Sequence, residues 1–359
     1  MGLVALVLVG IAGWATINFD RIVNGAKQDA DASQPVRTRS VEREQDGATA
    51  SRHSRIRAGK SSATPLAELL GRNNGFSNPT PEEVAAYLAA RGRSAANLVA
   101  AYQCTRELAL LREAVAKDPG NARALLLLVE NEETPEAKQA ALAAFRQHHP
   151  DNAMGDYLLA AAELTAGRIP EASQALAAAA AKTQFDRGGD GSRELEAIHR
   201  FVGTPPVVSR AMGKFSAAYS ASLARLGRQI RDGRDQATAA GDSKTAMELT
   251  RSGLTFAARI RSGGSMLDSL VAGGAEGILL KDLPPDLVLE PGTPSVGDRM
   301  AAIQAGRDEI LELSETTTKS LSQLNERDTN AYFNLVELEG ELAAARWLRQ
   351  RESAPTQER

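Results

Sequence analysis

The chain has 359 residues, is 43% apolar and 24% charged, and carries a formal net charge of −3. That length allows two average domains or one elongated array and excludes a small disulfide-stapled fold. The single cysteine, Cys104, excludes an intramolecular disulfide and a cysteine-rich zinc site, and the near-neutral charge leaves no electrostatic footprint for nucleic acid. Only 4% of residues are aromatic while 63 are alanine, the strongest helix former and a poor strand former, so the expected fold class is all-α with closely approaching helices.

Gly2 to Phe19 is a run of 18 residues without a charge. As a helix it would span roughly 27 Å, about one hydrocarbon core, so a transmembrane anchor is expected over 2–19. A cleaved signal peptide with a small-x-small site at Gly13-Trp14-Ala15 is the alternative. Arg21, Lys27, Arg37, Arg39 and Arg43 follow the segment, which by the positive-inside rule favours a cytoplasmic body. Residues 20–65 are polar and poor in large apolar side chains, and read as a disordered linker. Its basic end, Arg52 to Lys60, reads as a solvated charged stretch, with contact to anionic lipid as the sharper alternative. Gly59-Lys60-Ser61 lacks the glycine and the preceding strand that a phosphate-binding loop needs.

A helical body is expected over 66–186. Thr80-Pro81-Glu82-Glu83 supplies an N-cap, a proline at the first helical position and acidic residues against the helix dipole. Val84, Tyr87 and Leu88 give that helix one apolar face, Gly92 ends it and Ser94 caps the next. Asp118-Pro119-Gly120-Asn121 and His149-Pro150-Asp151-Asn152 then punctuate the chain, their prolines 31 residues apart, which signals repeated helical hairpins: 95–117, 122–131 with 135–148, and 153–166 with 170–183.

These residues resemble the tetratricopeptide repeat, a helix-turn-helix unit of about 34 residues. In the unit from Asn152 to Lys182, Leu159 and Ala160 match the first-helix positions, Gly167 the turn, and Ala172, Leu176 and Ala179 the second helix; in the preceding segment Ala95, Leu98, Ala114 and Pro119 fit, while Glu107 stands where a small residue belongs. The stretches Thr80 to Leu88, Gly92 to Leu98 and Leu110 to Ala114 also resemble an uncharacterised family of bacterial membrane-anchored helical-repeat proteins. The resemblance implies a TPR-like α-solenoid and a body outside the bacterial inner membrane; secretion after cleavage and a cytoplasmic body are the alternatives.

Arg187-Gly188-Gly189-Asp190-Gly191 suggests a boundary, followed by a second helical region over 192–280 with helices at 192–201, 207–240 and 243–262. Met266 to Leu280 holds Gly273, Gly274 and Gly277, but Asp268 and Glu276 argue for a closely packed soluble helix rather than a membrane span. Four prolines make 281–297 a stiff connection. A C-terminal helical hairpin is expected over 298–351. Ile310, Thr317, Leu324, Ala331, Leu338 and Ala345 recur every seven residues in it, a seam that docks on its own chain through a turn at Asn325 to Thr329, or as the alternative joins two copies as a homo-oligomer. Residues 352–359 read as a disordered tail.

Chemistry-bearing motifs are thin. His53, His148, His149 and His199 form no HExxH motif or i, i+4 pair, Cys104 has no CxxC partner and reads as a buried small side chain, and the Glu82-Glu83 and Glu132-Glu133 pairs mark helix starts or turns. No catalytic, cofactor-binding or metal-ligating residue and no cofactor is assigned. The leading expectation is a non-enzymatic, membrane-tethered interaction scaffold that holds a protein or peptide on a concave surface, with Asn97, Arg123 and Asp156 as partner-binding positions. A self-associating envelope protein and an enzyme with an unrecognised helical-bundle site are the alternatives.

Overall fold

The computed structural model describes residues 78–188, 192–204, 209–210, 220–321 and 323–353. The apolar segment at 2–19, the linker at 20–65 and the end of the chain from 354 lie outside the described residues. Among the described residues there are fourteen helices and no strand, so the fold is all-α.

Seven helices come first: α1 (Pro81–Arg91), α2 (Ala95–Thr105), α3 (Leu108–Lys117), α4 (Ala122–Asn131), α5 (Pro135–His148), α6 (Ala153–Thr165) and α7 (Ile169–Ala181). Each packs on the next. Their starts are written in side-chain chemistry. At α1 the Thr80 hydroxyl accepts from the Glu83 N–H while the Glu83 carboxylate accepts from the Thr80 N–H, a reciprocal pair that satisfies two exposed donors. Ser94, Asn121, Thr134 and Asn152 accept from the first-turn amides of α2, α4, α5 and α6. The two Pro-containing turns are also tied together, because His149 Nε2 lies 2.8 Å from the Gly120 carbonyl oxygen. A carbonyl only accepts, so Nε2 carries the proton. Between α2 and α3 the chain breaks at Arg106, whose φ of 63° is left-handed and whose guanidinium lies 5.8 Å from the Tyr102 ring centre.

The second group is α8 (Ser192–Phe201), α9 (Ser220–Ala239), α10 (Ser243–Arg261) and α11 (Met266–Leu280). The expected helix over 207–240 is described from Ser220. Helices α9, α10 and α11 pack mutually, and α11 is buried at 13 of its 15 residues. Close approach rests on glycine. A Cβ on Gly253 of α10 would lie 2.6 Å from Leu279 Cδ1 and 3.1 Å from Ile230 Cγ2, both on fully buried side chains that have nowhere to move. Gly253→Ala is therefore expected to destabilise the fold by about 1–2 kcal/mol despite alanine's better helix propensity, read as a lower urea midpoint; a raised midpoint would mean that the α10–α11 contact is looser than described.

The glycine-rich stretch after Phe185, expected to divide two domains, does not divide the core. One apolar cluster runs from Val84 to Leu279. The reason is tertiary: α9 packs on α6 and α10 on α7. Arginines seal the joints by capping helix C-termini. Arg259 of α10 donates to the carbonyls of Ala179, Ala180 and Lys182 at the end of α7, and the buried Arg234 of α9 donates to the Leu279 carbonyl at 2.6 Å.

From Lys281 to Ser295 the chain is non-helical and has a small core of its own, in which Leu289 joins Leu280 and Val296. The remaining residues form three helices rather than the expected hairpin: α12 (Val296–Leu321), α13 (Glu326–Glu339) and α14 (Glu341–Ser353). Gly340, at φ 91°, makes the additional break. The seven-residue seam is not one surface. Ile310, Thr317 and Ala345 are buried within the chain, while Leu338 is 81% exposed, because Asn325 caps α13 and resets the helical phase.

Candidate interaction surface

Two kinds of helix alternate in α2–α7. Helices α3, α5 and α7 have an exposed side. Helices α2, α4 and α6 instead carry long buried runs: Leu98 to Gln103, Arg123 to Leu128 and Ala153 to Tyr157 are buried without interruption. At 100° per residue, five or six consecutive buried positions cover more than a full turn, so the helices are enclosed on every side over these runs, while Ala96, Asn131, Ala162 and Thr165 outside them are exposed. One side is covered by α3, α5 and α7. The chain itself returns across the other.

That return begins with an extended strap at residues 182–188. It runs beside the start of α6, where the Ala153 N–H donates to the Gln184 carbonyl at 2.9 Å, and Asn152 both donates to the Asp186 carbonyl at 2.7 Å and accepts from the Asp186 N–H. Phe185 sets its ring edge-on to Tyr157 at 5.8 Å. The strap then crosses the start of α4 at Gly188, whose φ is 84° and where a Cβ would lie 2.6 Å from the Arg123 nitrogen; only glycine passes there. Helix α8 continues the path onto α1 and α2, burying Leu195, Ile198 and His199. Phe201 meets Tyr87 edge-on at 5.5 Å. At the other end α9 lies on α6.

The three sequence-predicted partner positions fall on this framework and are used inside the protein. Asn97 accepts from the Tyr87 hydroxyl at 3.1 Å and donates to the Gly92 carbonyl at 2.9 Å, fixing the α1–α2 turn. Arg123 is buried beneath Gly188. Asp156 is buried and pairs with Arg146 at 3.1 Å and with Lys182 at the head of the strap. The strap thus brings Arg123 and Asp156 to one feature, and Asn97 belongs to the α1–α2 pair on which α8 sits. Sequence reasoning missed α8 as part of the surface. Its signal was present, since Leu195, Ile198 and Val202 at three- and four-residue spacing among Arg193, Glu194, Glu196 and Arg200 mark a helix with one apolar side.

Electrostatics in this region are those of packing. Burial pushes the Cys104 thiol up to about 12, with Arg106 acting weakly the other way, so the thiolate that a nucleophile needs is absent at neutral pH. Burial also lowers the His199 imidazole, which is neutral in its packed position. Because the folded value lies below the ordinary one of 6.5, His199 favours the folded state above that pH and opposes it as pH falls below. His199→Leu is therefore expected to reduce the loss of stability between pH 7 and pH 5, measured as the difference in urea midpoints; an unchanged difference would show that His199 is not held neutral. Among the described residues, no group of three or more His, Cys, Asp or Glu side chains is placed to hold a metal ion, and no helix is long and apolar enough to cross a membrane. No family model, curated protein or solved structure matches the chain.

Proposed function

We propose that the protein is a non-enzymatic, membrane-tethered interaction scaffold in which residues 81–181 form a TPR-like solenoid. The segment at 2–19 is its anchor in a bacterial inner membrane, and the body lies on the outer side. The observation that carries the reading is the seating of α8: a helix with one apolar side lies on α1 and α2 through Leu195 and Ile198, so the surface is shaped to take a helix. A partner's amphipathic helix uses the same chemistry and competes with α8 for the place. Asn97, Arg123 and Asp156 serve this function indirectly, by fixing the turn and the strap that border the seat.

The test is affinity capture of the full-length protein from gently solubilised native membranes, compared with a Leu195→Asp, Ile198→Asp variant whose α8 cannot seat. A stoichiometric heterologous partner, recovered in larger amount with the variant, is the expected result. Recovery of the protein alone in both cases would replace the scaffold reading with self-assembly.

A further inference from the structure

A second feature, independent of α8, lies where the end of α10 meets α11, α12 and α14. These elements enclose an open recess of about 330 Å3. Its polar rim carries Arg261, Arg299 and Arg346 against Glu276 and Glu309, three guanidiniums to two carboxylates. Glu309 is forked by Arg346 at 3.0 and 3.1 Å, and this hydrogen-bonded pairing holds its carboxyl below the usual range, so it is ionised at neutral pH. Glu276 accepts from Arg261 at 2.6 Å, whereas Arg299 comes no nearer to it than 3.9 Å. With both carboxylates engaged, the recess keeps an excess of positive charge. A guanidinium has five N–H donors, and a forked carboxylate uses two, so donor capacity remains.

The interior is apolar: Leu270 and Ile310 are buried, and Ile303 and Leu342 are partly so. Two glycines line it from facing helices, Gly273 of α11 and Gly306 of α12. Glycine inside a helix costs stability relative to alanine, so it calls for a reason. Packing supplies none at Gly306, where an added Cβ would meet no atom within 4 Å. At Gly273 the nearest atom would be Ile303 Cγ2 at 3.6 Å, an ordinary contact. What these glycines preserve is the empty volume, and local rules broken without a packing reason are expected at functional positions.

We infer that this recess is a binding site for a small organic oxyanion, a carboxylate or phosphate ester with a short apolar stem. The head group takes the guanidinium donors, and the stem lies over the apolar interior. A cation is excluded by the charge excess, and a wholly apolar ligand would strip water from the arginines without replacing its hydrogen bonds. The volume is at the lower end of ligand pockets, which limits the stem to a few carbons. Occupation ties α12 and α14 to α10 and α11 and stabilises the fold by mass action.

The test titrates the full-length protein in non-ionic detergent with butyl phosphate and with butyrate, following heat and the thermal midpoint; inorganic phosphate and butylammonium are the controls. Saturable binding of at least one four-carbon anion is expected, weakened by salt, with inorganic phosphate about tenfold weaker and butylammonium without effect. The tighter of the two anions names the head group. Gly306→Leu fills the recess without removing a charge and improves helix propensity, so it is expected to remain folded and abolish binding. Arg299→Gln is expected to weaken binding about tenfold. Absence of binding by both anions, or binding to Gly306→Leu equal to that of the wild type, would overturn the proposal.

Discussion

Glu341→Gln is expected to stabilise the protein at pH 8 by about 2 kcal/mol and to change little at pH 5. Glu341 begins α14 and is buried, its carboxylate accepting from the Met266 N–H at 2.8 Å. Burial first, and the nearby Asp268 carboxylate second, push its carboxyl up to about 7 from 4.5. The folded state therefore holds a proton that the unfolded chain releases. Stability from that proton is complete below 4.5, declines as pH rises, and is lost above 7. Above pH 7 the fold carries a buried charge at a cost on the order of 3 kcal/mol, most of which glutamine removes while keeping an acceptor for Met266. Urea unfolding at both pH values measures it. Equal effects at pH 5 and pH 8 would mean that Glu341 keeps an ordinary acidity. The slope is opposite in sign to that of His199, so the two substitutions separate the contributions.

Arg187→Ala is expected to cost about 3 kcal/mol, far more than the loss of a surface arginine. Arg187 lies near the end of the strap and forks Asp268 of α11 at 2.6 and 2.8 Å, while the Asp268 side chain is only 4% exposed. Without Arg187 a buried carboxylate is left beside Glu341, and the strap loses its attachment to α11. Arg93→Ala makes the comparison: its pairing with Glu113 joins two partly exposed side chains, so less than about 1 kcal/mol is expected. Adding Asp268→Asn to Arg187→Ala should recover part of the loss, a coupling that a double-mutant cycle in urea reads directly. A cost below about 1 kcal/mol for Arg187→Ala would show that the strap is not held by this pair.

What the sequence made legible was local. Thr80 and Ser94 announced helix starts because a cap is a contact within three residues, whereas Asn121 and Asn152, read only as parts of the Pro-containing breaks, cap α4 and α6 in the same way. The glycines of Met266–Leu280 announced close packing, and α11 is the most enclosed helix of its bundle. The return of the chain was not legible, since it depends on contacts such as Arg187 with Asp268, 81 residues apart, which leave no local pattern. For the same reason Arg123 and Asp156 read as surface positions: a charged residue near the start of a helix looks solvated until the strap that covers it is known. The seven-residue seam failed for a different cause. Its spacing was real, but Asn325 and Gly340 each restart a helix, and a periodic pattern carried across a restart no longer describes one face.

In the proposed function, α1 and α2 form a seat for an amphipathic helix and α8 is its resident occupant. A labelled peptide spanning Ser192 to Thr204, titrated into the full-length protein, tests this most directly. No binding is expected to the wild type, where α8 fills the seat, and saturable binding is expected to the Leu195→Asp, Ile198→Asp variant, where the seat is vacated. Binding to neither, with the variant still folded by circular dichroism, would contradict it.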